Sequence, residues 1–287
     1  MAADREDVEF ESRGATLRGW LYRSEHSPGP AVVMAHGLSA VKEMFLDHYA
    51  EAFADAGFTT LVYDHFGFGA SDGEPRQSPA TDIQLQGYRD AISWLGGLGC
   101  VDSDRVGIWG SSLSGALVIT LASEALPVVC AVAQVPGLGE GGPLPPAGAL
   151  ALLVGAADGG DPDATMPAVS ETTDGDGLMF ADGAYEWFTR TAAERAPAWR
   201  NELLVRGVTA VGSHRAIDDL ASTRVPLLLV VAPDDTLTPP GPAMEVIAST
   251  PLVEVVEIPG NHFDAYEAGF RASSGPAVDW FRTHLEG

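Results

Sequence analysis

Short apolar runs alternate with amphipathic stretches along most of the chain, a rhythm that predicts strands and helices in turn. Val8–Glu11 and Leu17–Tyr22 flank an Arg13-Gly14-Ala15 turn and read as a hairpin. Ala31–Ala35 is continuously apolar, as expected of a strand buried on both faces. Phe45, Tyr49 and Phe53 recur at every fourth position and predict a helix that closes at Gly57. Thr59–Tyr63 is the next strand. A helix starting near Ser78-Pro79, with proline in its first turn, carries Ile83, Tyr88, Ile92 and Leu95. Val106–Trp109 is a strand that runs into a helix over Ala116–Ala125. Val128–Ala133, Val225–Val231 and Val253–Ile258 are further strands, and a closing helix sets Ala277, Trp280, Phe281, His284 and Leu285 on one face. Buried strands alternating with helices predict an α/β fold: a mostly parallel central sheet with helices on both faces.

Residues 136–220 break that rhythm. They open with the Pro/Gly-rich stretch Pro136–Pro146, continue through an acidic, Gly-rich segment from Asp158 to Gly177, and recover helical character over Gly183–Trp199. The expected organisation is a core formed by 1–135 and 221–287, with a cap or lid inserted at 136–220. For 158–177 a partly disordered linker is the competing reading. Tyr185, Trp187, Phe188 and Trp199 suit a packed cap better, and Met179, Phe180, Trp187 and Phe188 are the candidate lining of a substrate pocket.

Charge narrows the possible partners. The 287 residues carry 16 Lys+Arg against 40 Asp+Glu, a net charge of −24, so phosphate-rich nucleic acid and anionic membrane surfaces are not expected partners. Lys42 is the only lysine; it is expected at the surface near a helix start, paired with Glu43 or another carboxylate. Cys100 and Cys130 are too few for a disulfide framework or a four-cysteine zinc site. No cofactor and no metal are expected. The start, Met-Ala-Ala-Asp-Arg-Glu-Asp, lacks a basic and apolar leader, and the longest apolar run, Ala147–Ala157, is shorter than the ~18 residues that span a bilayer. A cytoplasmic setting is the expectation.

The strongest chemical signal is Gly110-Ser111-Ser112-Leu113-Ser114-Gly115, where a strand meets a helix. A nucleophile on so sharp a turn needs small neighbours two residues before and two after. Ser111 fails, with Trp109 and Leu113 there. Ser114 lies already one turn into the helix. Ser112, between Gly110 and Ser114, meets the demand. A serine hydroxyl needs a histidine to take its proton and an acid to orient that histidine. Of seven histidines, His262 in Pro259-Gly260-Asn261-His262-Phe263-Asp264 follows the last strand, on the side where functional loops of open α/β sheets converge. His65, after Tyr63-Asp64, is the second candidate. His26, His48, His214 and His284 lack this context. The acid should follow another strand end, and both Asp234 and Asp235 do. Ala35-His36-Gly37-Leu38 follows the first central strand, where a glycine lets backbone N–H groups turn toward an oxyanion. The two candidate donors are the N–H groups of Leu38 and Leu113.

Together these residues resemble the α/β-hydrolase superfamily over almost the whole chain outside 136–220, with its chain order of nucleophile, acid and base. Within it, His36–Glu43, Tyr63-Asp64 with Gly67–Glu74, and Gly260–Glu267 are similar to dienelactone-hydrolase-like and S15-peptidase-like serine hydrolases. That group includes acyl hydrolases and acyl transferases of polyketide pathways. The resemblance implies Asp235 rather than Asp234 as the acid, because the family proline falls four residues later, at Pro239. His65 departs from the Arg many relatives carry, and Ala116 follows Gly115 where a further Gly is common.

The implied function is a serine hydrolase that cleaves a carboxylic ester or thioester through an acyl-enzyme on Ser112. The alternative is an acyltransferase, or a product-releasing and cyclising enzyme, using the same triad. The expected partner is a small-molecule acyl substrate, free or carrier-bound. A catalytically silent binding module would lack Ser or His, and a Ser at the elbow excludes the Asp-nucleophile chemistry of epoxide hydrolases and dehalogenases.

Overall fold

In a computed structural model describing residues 5–161, 163–247 and 250–286, the hairpin is the first element. Residues 1–4, on which part of the leader expectation falls, lie outside the described residues. Strands β1 (Arg5–Ser12) and β2 (Ala15–Tyr22) pair antiparallel, and β3 (Gly29–Ala35) leads to helix α1 (Leu46–Asp55). Then come β4 (Thr59–Tyr63), α2 (Thr81–Gly96), β5 (Val101–Ser111), α3 (Leu113–Ser123) and β6 (Cys130–Gln134). The 136–220 segment contributes α4 (Ala147–Ala157), β7 (Thr165–Met166), α5 (Ala184–Glu194), β8 (Leu203–Leu204), α6 (Val205–Ser213) and α7 (Ala216–Leu220). The chain closes through β9 (Leu227–Val231), α8 (Gly241–Ile247), β10 (Val253–Glu257) and α9 (Phe270–Leu285).

Eight strands form one sheet in the order β1-β2-β4-β3-β5-β6-β9-β10, antiparallel only at β1–β2 and β2–β4. Every residue of β3, β4, β6 and β9 is buried, which explains their predominantly apolar sequences. One apolar cluster packs α1 and α9 on one face; the other packs α2, α3 and α7 on the opposite face. Met179, Trp187, Phe188 and Leu203 from the 136–220 segment join the first cluster.

Three sequence expectations change. Pro79 lies one residue before the Ala80 N-cap of α2, not in its first turn. Within 158–177, Thr165-Met166 pairs with Leu203-Leu204, and the Ser170 N–H donates to the Met179 carbonyl, so this stretch is hydrogen-bonded structure rather than linker. Lys42 is not a surface residue. It is 3% exposed, its Nζ lies 2.6 Å from Asp64 Oδ2 and 3.1 Å from Glu43 Oε1, and it sits 4.9 Å from the Trp20 ring centroid. Burial alone would lower the ammonium pKa, but the two carboxylates outweigh it and hold the pKa above its ordinary value. Asp64 Oδ1 also accepts the Lys42 N–H at 2.8 Å, and Oδ2 accepts the Ala70 N–H at 2.9 Å. The pair thereby ties the loop after β3 to the loop after β4. Among the described residues no helix is long and apolar enough to cross a membrane.

Breaking this pair leaves a buried carboxylate without its counter-ion, which typically costs about 3–5 kcal/mol. Lys42→Met should lower the unfolding free energy by about that amount. Chemical denaturation at pH 7 measures it, and a loss within experimental error would show that the loops are held by other contacts.

Candidate active site

Strand register brings the carboxyl ends of the central strands to one edge. Ala35 pairs with Gly110, Ser111 with Gln134, and Val231 with Glu257. The loops that follow β3, β5, β9 and β10 therefore emerge together, and they carry Leu38, Ser112, Asp235 and His262.

Ser112 occupies a position few side chains tolerate. Its φ of 58° and ψ of −119° place it in a region that costs on the order of 1–3 kcal/mol for a non-glycine residue. The turn is held by its own backbone: the Ser112 N–H donates to the Gln134 carbonyl at 2.9 Å, and its carbonyl accepts from Ala116 and Gly137. The neighbours must be small for stated reasons. A Cβ at Gly110 would lie 2.2 Å from the Ser114 carbonyl oxygen, and one at Gly115 would lie 3.0 Å from that of Gln134. The two flanking serines are committed elsewhere. Ser111 Oγ shares a 2.6 Å hydrogen bond with Tyr266 and accepts from Gln134 Nε2; Ser114 Oγ donates to the His36 carbonyl at 2.5 Å.

His262 Nε2 lies 3.1 Å from Ser112 Oγ, and its Nδ1 lies 2.8 Å from Asp235 Oδ2. Both are almost fully buried, whereas Asp234 is exposed. Asp235 Oδ1 accepts the N–H groups of Leu237 and Thr238 at 2.9 and 2.7 Å. Burial pushes the Asp235 pKa up, but hydrogen bonds and charge from His262, with those from Thr238, outweigh it and leave the pKa below its ordinary value. Asp235 is thus ionised wherever an imidazole titrates.

Thr238 has no place in the sequence reading. Its hydroxyl lies 2.8 Å from Asp235 Oδ2, 3.0 Å from His262 Nδ1 and 3.1 Å from the Val135 carbonyl. A carboxylate followed three residues later by Thr is a local turn signature that marks it. Asp182 is also absent from that reading, although its carboxylate reaches Thr236 and the His262 N–H. Only an Asp-Gly turn signal stands there in the sequence.

Gly37 approaches the serine so closely that a Cβ would lie 2.8 Å from Ser112 Cβ, and Leu38 lines both cavities at the serine. Leu113 follows Ser112 as the first residue of α3. His36 accepts the His65 N–H on Nε2 at 3.1 Å and donates from Nδ1 to the Gly37 carbonyl at 2.9 Å. His65 Nε2 is bonded to Ser114 Oγ at 2.8 Å, not to Ser112. Burial, with His36 beside it, holds the His65 pKa well below its ordinary value, so both rings are neutral and serve to shape the loop. Of the remaining histidines, His48 contacts Arg195, His284 packs on Trp280 and His26 bonds Ser24, while His214 lines a cavity that Ser112 also lines but bonds Thr120.

Two cavities meet at Ser112. The first is a small recess, about 20 Å³ of space open to a water-sized group and about 340 Å³ with its mouth included; it is walled by Met44, Leu46, Met179, Trp187, Phe188 and Phe263 and reaches His262. Trp187 stacks on Phe263 with centroids 4.8 Å apart. The second, about 1300 Å³ with its mouth included, runs over Leu113, Gly137–Pro145, Val211 and Thr238 to solvent. Of the four residues expected to line a pocket, Met179, Trp187 and Phe188 do so, while Phe180 is half-buried and lines neither cavity. Chemically, the arrangement can activate a hydroxyl by base abstraction next to an apolar recess and an open channel.

Comparison with known proteins finds relatives of this chain in sequence and in fold. A model described as the alpha/beta hydrolase family matches residues 32–272. A thiohydrolase of Eupenicillium brefeldianum is 31% identical over 248 residues, covering 83% of this chain and 80% of that protein. The polyketide transferase GrgF of a Penicillium species is 36% identical over 133 residues, covering 46% of this chain and 45% of that one. The crystal structure of GrgF from Penicillium sp. sh18 superimposes with a TM-score of 0.83 at 25% identity, covering 99% of this chain and 100% of that one.

The hydrogen bonds separate the two adjacent aspartates. Asp235→Asn should lower turnover by about 10³–10⁴-fold, because an amide there favours the wrong imidazole tautomer. Asp234→Asn, at the surface, should stay within about twofold of wild type. Ester-hydrolysis rates of both variants decide it, and equal losses would reject the assignment of Asp235.

Proposed function

The chain belongs to the alpha/beta hydrolase family, and from that premise we propose that it is a serine esterase or thioesterase working through an acyl-enzyme on Ser112. The supporting observation is the continuous hydrogen-bonded path from Ser112 Oγ through His262 to Asp235, at 3.1 and 2.8 Å. In this reading Ser112 Oγ attacks the acyl carbon while His262 Nε2 takes its proton. The N–H groups of Leu38 and Leu113 hold the oxyanion. Collapse of the tetrahedral intermediate expels an alkoxide or thiolate, which leaves with the proton from His262. Water, deprotonated by His262, then releases the acid and restores Ser112. Asp235 orients the ring and stabilises the imidazolium without itself being protonated.

The mainly apolar recess beside Ser112 is the proposed start of the acyl site, with Met179, Trp187 and Phe188 as side chains that move to admit the acyl group and then wall it. The wider channel suits the rest of the substrate, free or carrier-borne. That channel also favours the second reading, in which the acyl group passes to an alcohol, amine or carrier-bound acceptor rather than to water. A thiohydrolase and a polyketide transferase among the relatives agree with acyl processing of both kinds. Residues 136–220 act here as a cap over the core, with 1–135 and 221–287 supplying the triad.

A fluorophosphonate should label Ser112, and peptide mapping that places the adduct on Ser111 or Ser114 would reject the nucleophile. Selectivity tests the pocket. Each CH₂ buried against these walls should contribute about 0.8 kcal/mol, roughly fourfold in kcat/KM per added carbon, until the cavity is full. Trp187→Ala or Phe188→Ala should flatten that profile across p-nitrophenyl esters of rising acyl length, while Ser112 still labels. An unchanged profile in both variants would place acyl selectivity elsewhere.

A further inference from the structure

One carboxylate outside the core reaches the loops of both the acid and the base. Asp182 precedes α5 and adopts a left-handed conformation, φ 57°, continued by Gly183 at φ 72°. This turn aims its side chain away from α5 toward the sheet edge. Oδ1 accepts the Thr236 hydroxyl at 2.5 Å, and Oδ2 accepts the Thr236 N–H at 2.9 Å and the Leu237 N–H at 3.3 Å. Oδ2 also lies 3.5 Å from the His262 N–H, and the Asp182 carbonyl accepts from Asn261 Nδ2 at 3.4 Å. Thr236 and Leu237 directly follow Asp235, and Leu237 donates to Asp235 as well. The β9 loop and the β10 loop are therefore bridged by a group that belongs to neither.

What lies on the other side of Asp182 gives the bridge its meaning. Trp187 and Phe188, five and six residues later on α5, wall the recess, and the Trp187 N–H bonds the Gly183 carbonyl at 3.0 Å. This side chain thus joins the helix that lines the recess to the acid's loop, and it adds to the stacking of Trp187 on Phe263 that already joins that helix to the base's loop.

We propose that Asp182 is a positioning residue: it sets the Asp235 and His262 loops in register with each other and with α5, so that this segment shares in the chemistry as well as in selectivity. The inference rests on the serine-hydrolase reading above. An acid–base pair displaced by a fraction of an ångström loses rate steeply, whereas a small ester binds almost unchanged. Charge-assisted hydrogen bonds to a carboxylate are about twice as strong as neutral ones, so the amide should be a partial substitute at best.

The test is the rate of Ser112 modification by a small fluorophosphonate, together with kcat and KM for p-nitrophenyl acetate, in wild type, Asp182→Ala and Asp182→Asn. Asp182→Ala should lower the labelling rate and kcat roughly ten- to a hundredfold with KM within about twofold. Asp182→Asn should lose about threefold or more in the same two rates. If Asp182→Ala does not fold, as judged by circular dichroism, Asp182→Asn decides alone. Rates equal to wild type, or a rise in KM with kcat unchanged, would overturn the proposal while leaving the hydrolase reading intact. Failure of wild type to label at Ser112 would instead overturn that reading and the inference with it.

Discussion

The architecture turns on how closely three backbones approach at the end of β5. Ser112 sits with positive φ, and the segments before and after it leave no room for side chains at Gly110 or Gly37 and little at Gly115. A strained turn of this kind persists only where the surroundings over-determine it. Here they do: β5 lies between β3 and β6 in the middle of the sheet, and the Ser112 amide and carbonyl are both bonded. The same crowding sets the serine hydroxyl apart from its neighbours, whose hydroxyls are consumed by Tyr266, Gln134, His36 and His65.

Around that turn, buried charge does the work of aligning loops. The chain's single lysine is spent inside the protein on Asp64, fixing the loop that brings Gly37 and Leu38 to the serine. Burying the pair costs desolvation of both groups, and that cost makes the partners interdependent: without Lys42 the Asp64 carboxylate would be a buried, uncompensated charge. Carboxylates play the matching part on the other side. Asp235 gathers N–H groups from its own loop, Asp264 accepts the Asn261 N–H beside His262, and Asp182 spans from the 136–220 segment. The segment is tied down elsewhere too, by Arg195 on Asp47 at 2.5 Å and by the Trp199 indole on Ser39 at 3.1 Å. Its residues contact the α1 side of the core and the loop after β3 at once.

The sheet was legible in the sequence because parallel strands covered on both faces must be apolar throughout, and the helices over them must be striped. Ser112 was legible for a steric reason that acts over five residues, and His262 because strand ends in such a sheet share one edge. The 136–220 segment was harder to read. α4 is apolar all round although only Ala149 is buried, so it has no stripe, and α7 is too short for periodicity to show. Phe180 shows the limit of composition: it stands beside Met179, yet only Met179 lines a cavity.

The sequence by itself determined what is local: the order of the sheet strands and of the long helices over them, the small residues that permit the turn at Ser112, and the serine and histidine at strand ends. Tertiary structure decided whatever depends on distant segments meeting. It separated Asp235 from Asp234 by burying one and exposing the other, took Lys42 out of water, and turned His65 toward Ser114. It also carried Asp182 across more than fifty residues of chain to Thr236. Burial and hydrogen-bond partnership are properties of neighbours in space, and no window along the chain contains them.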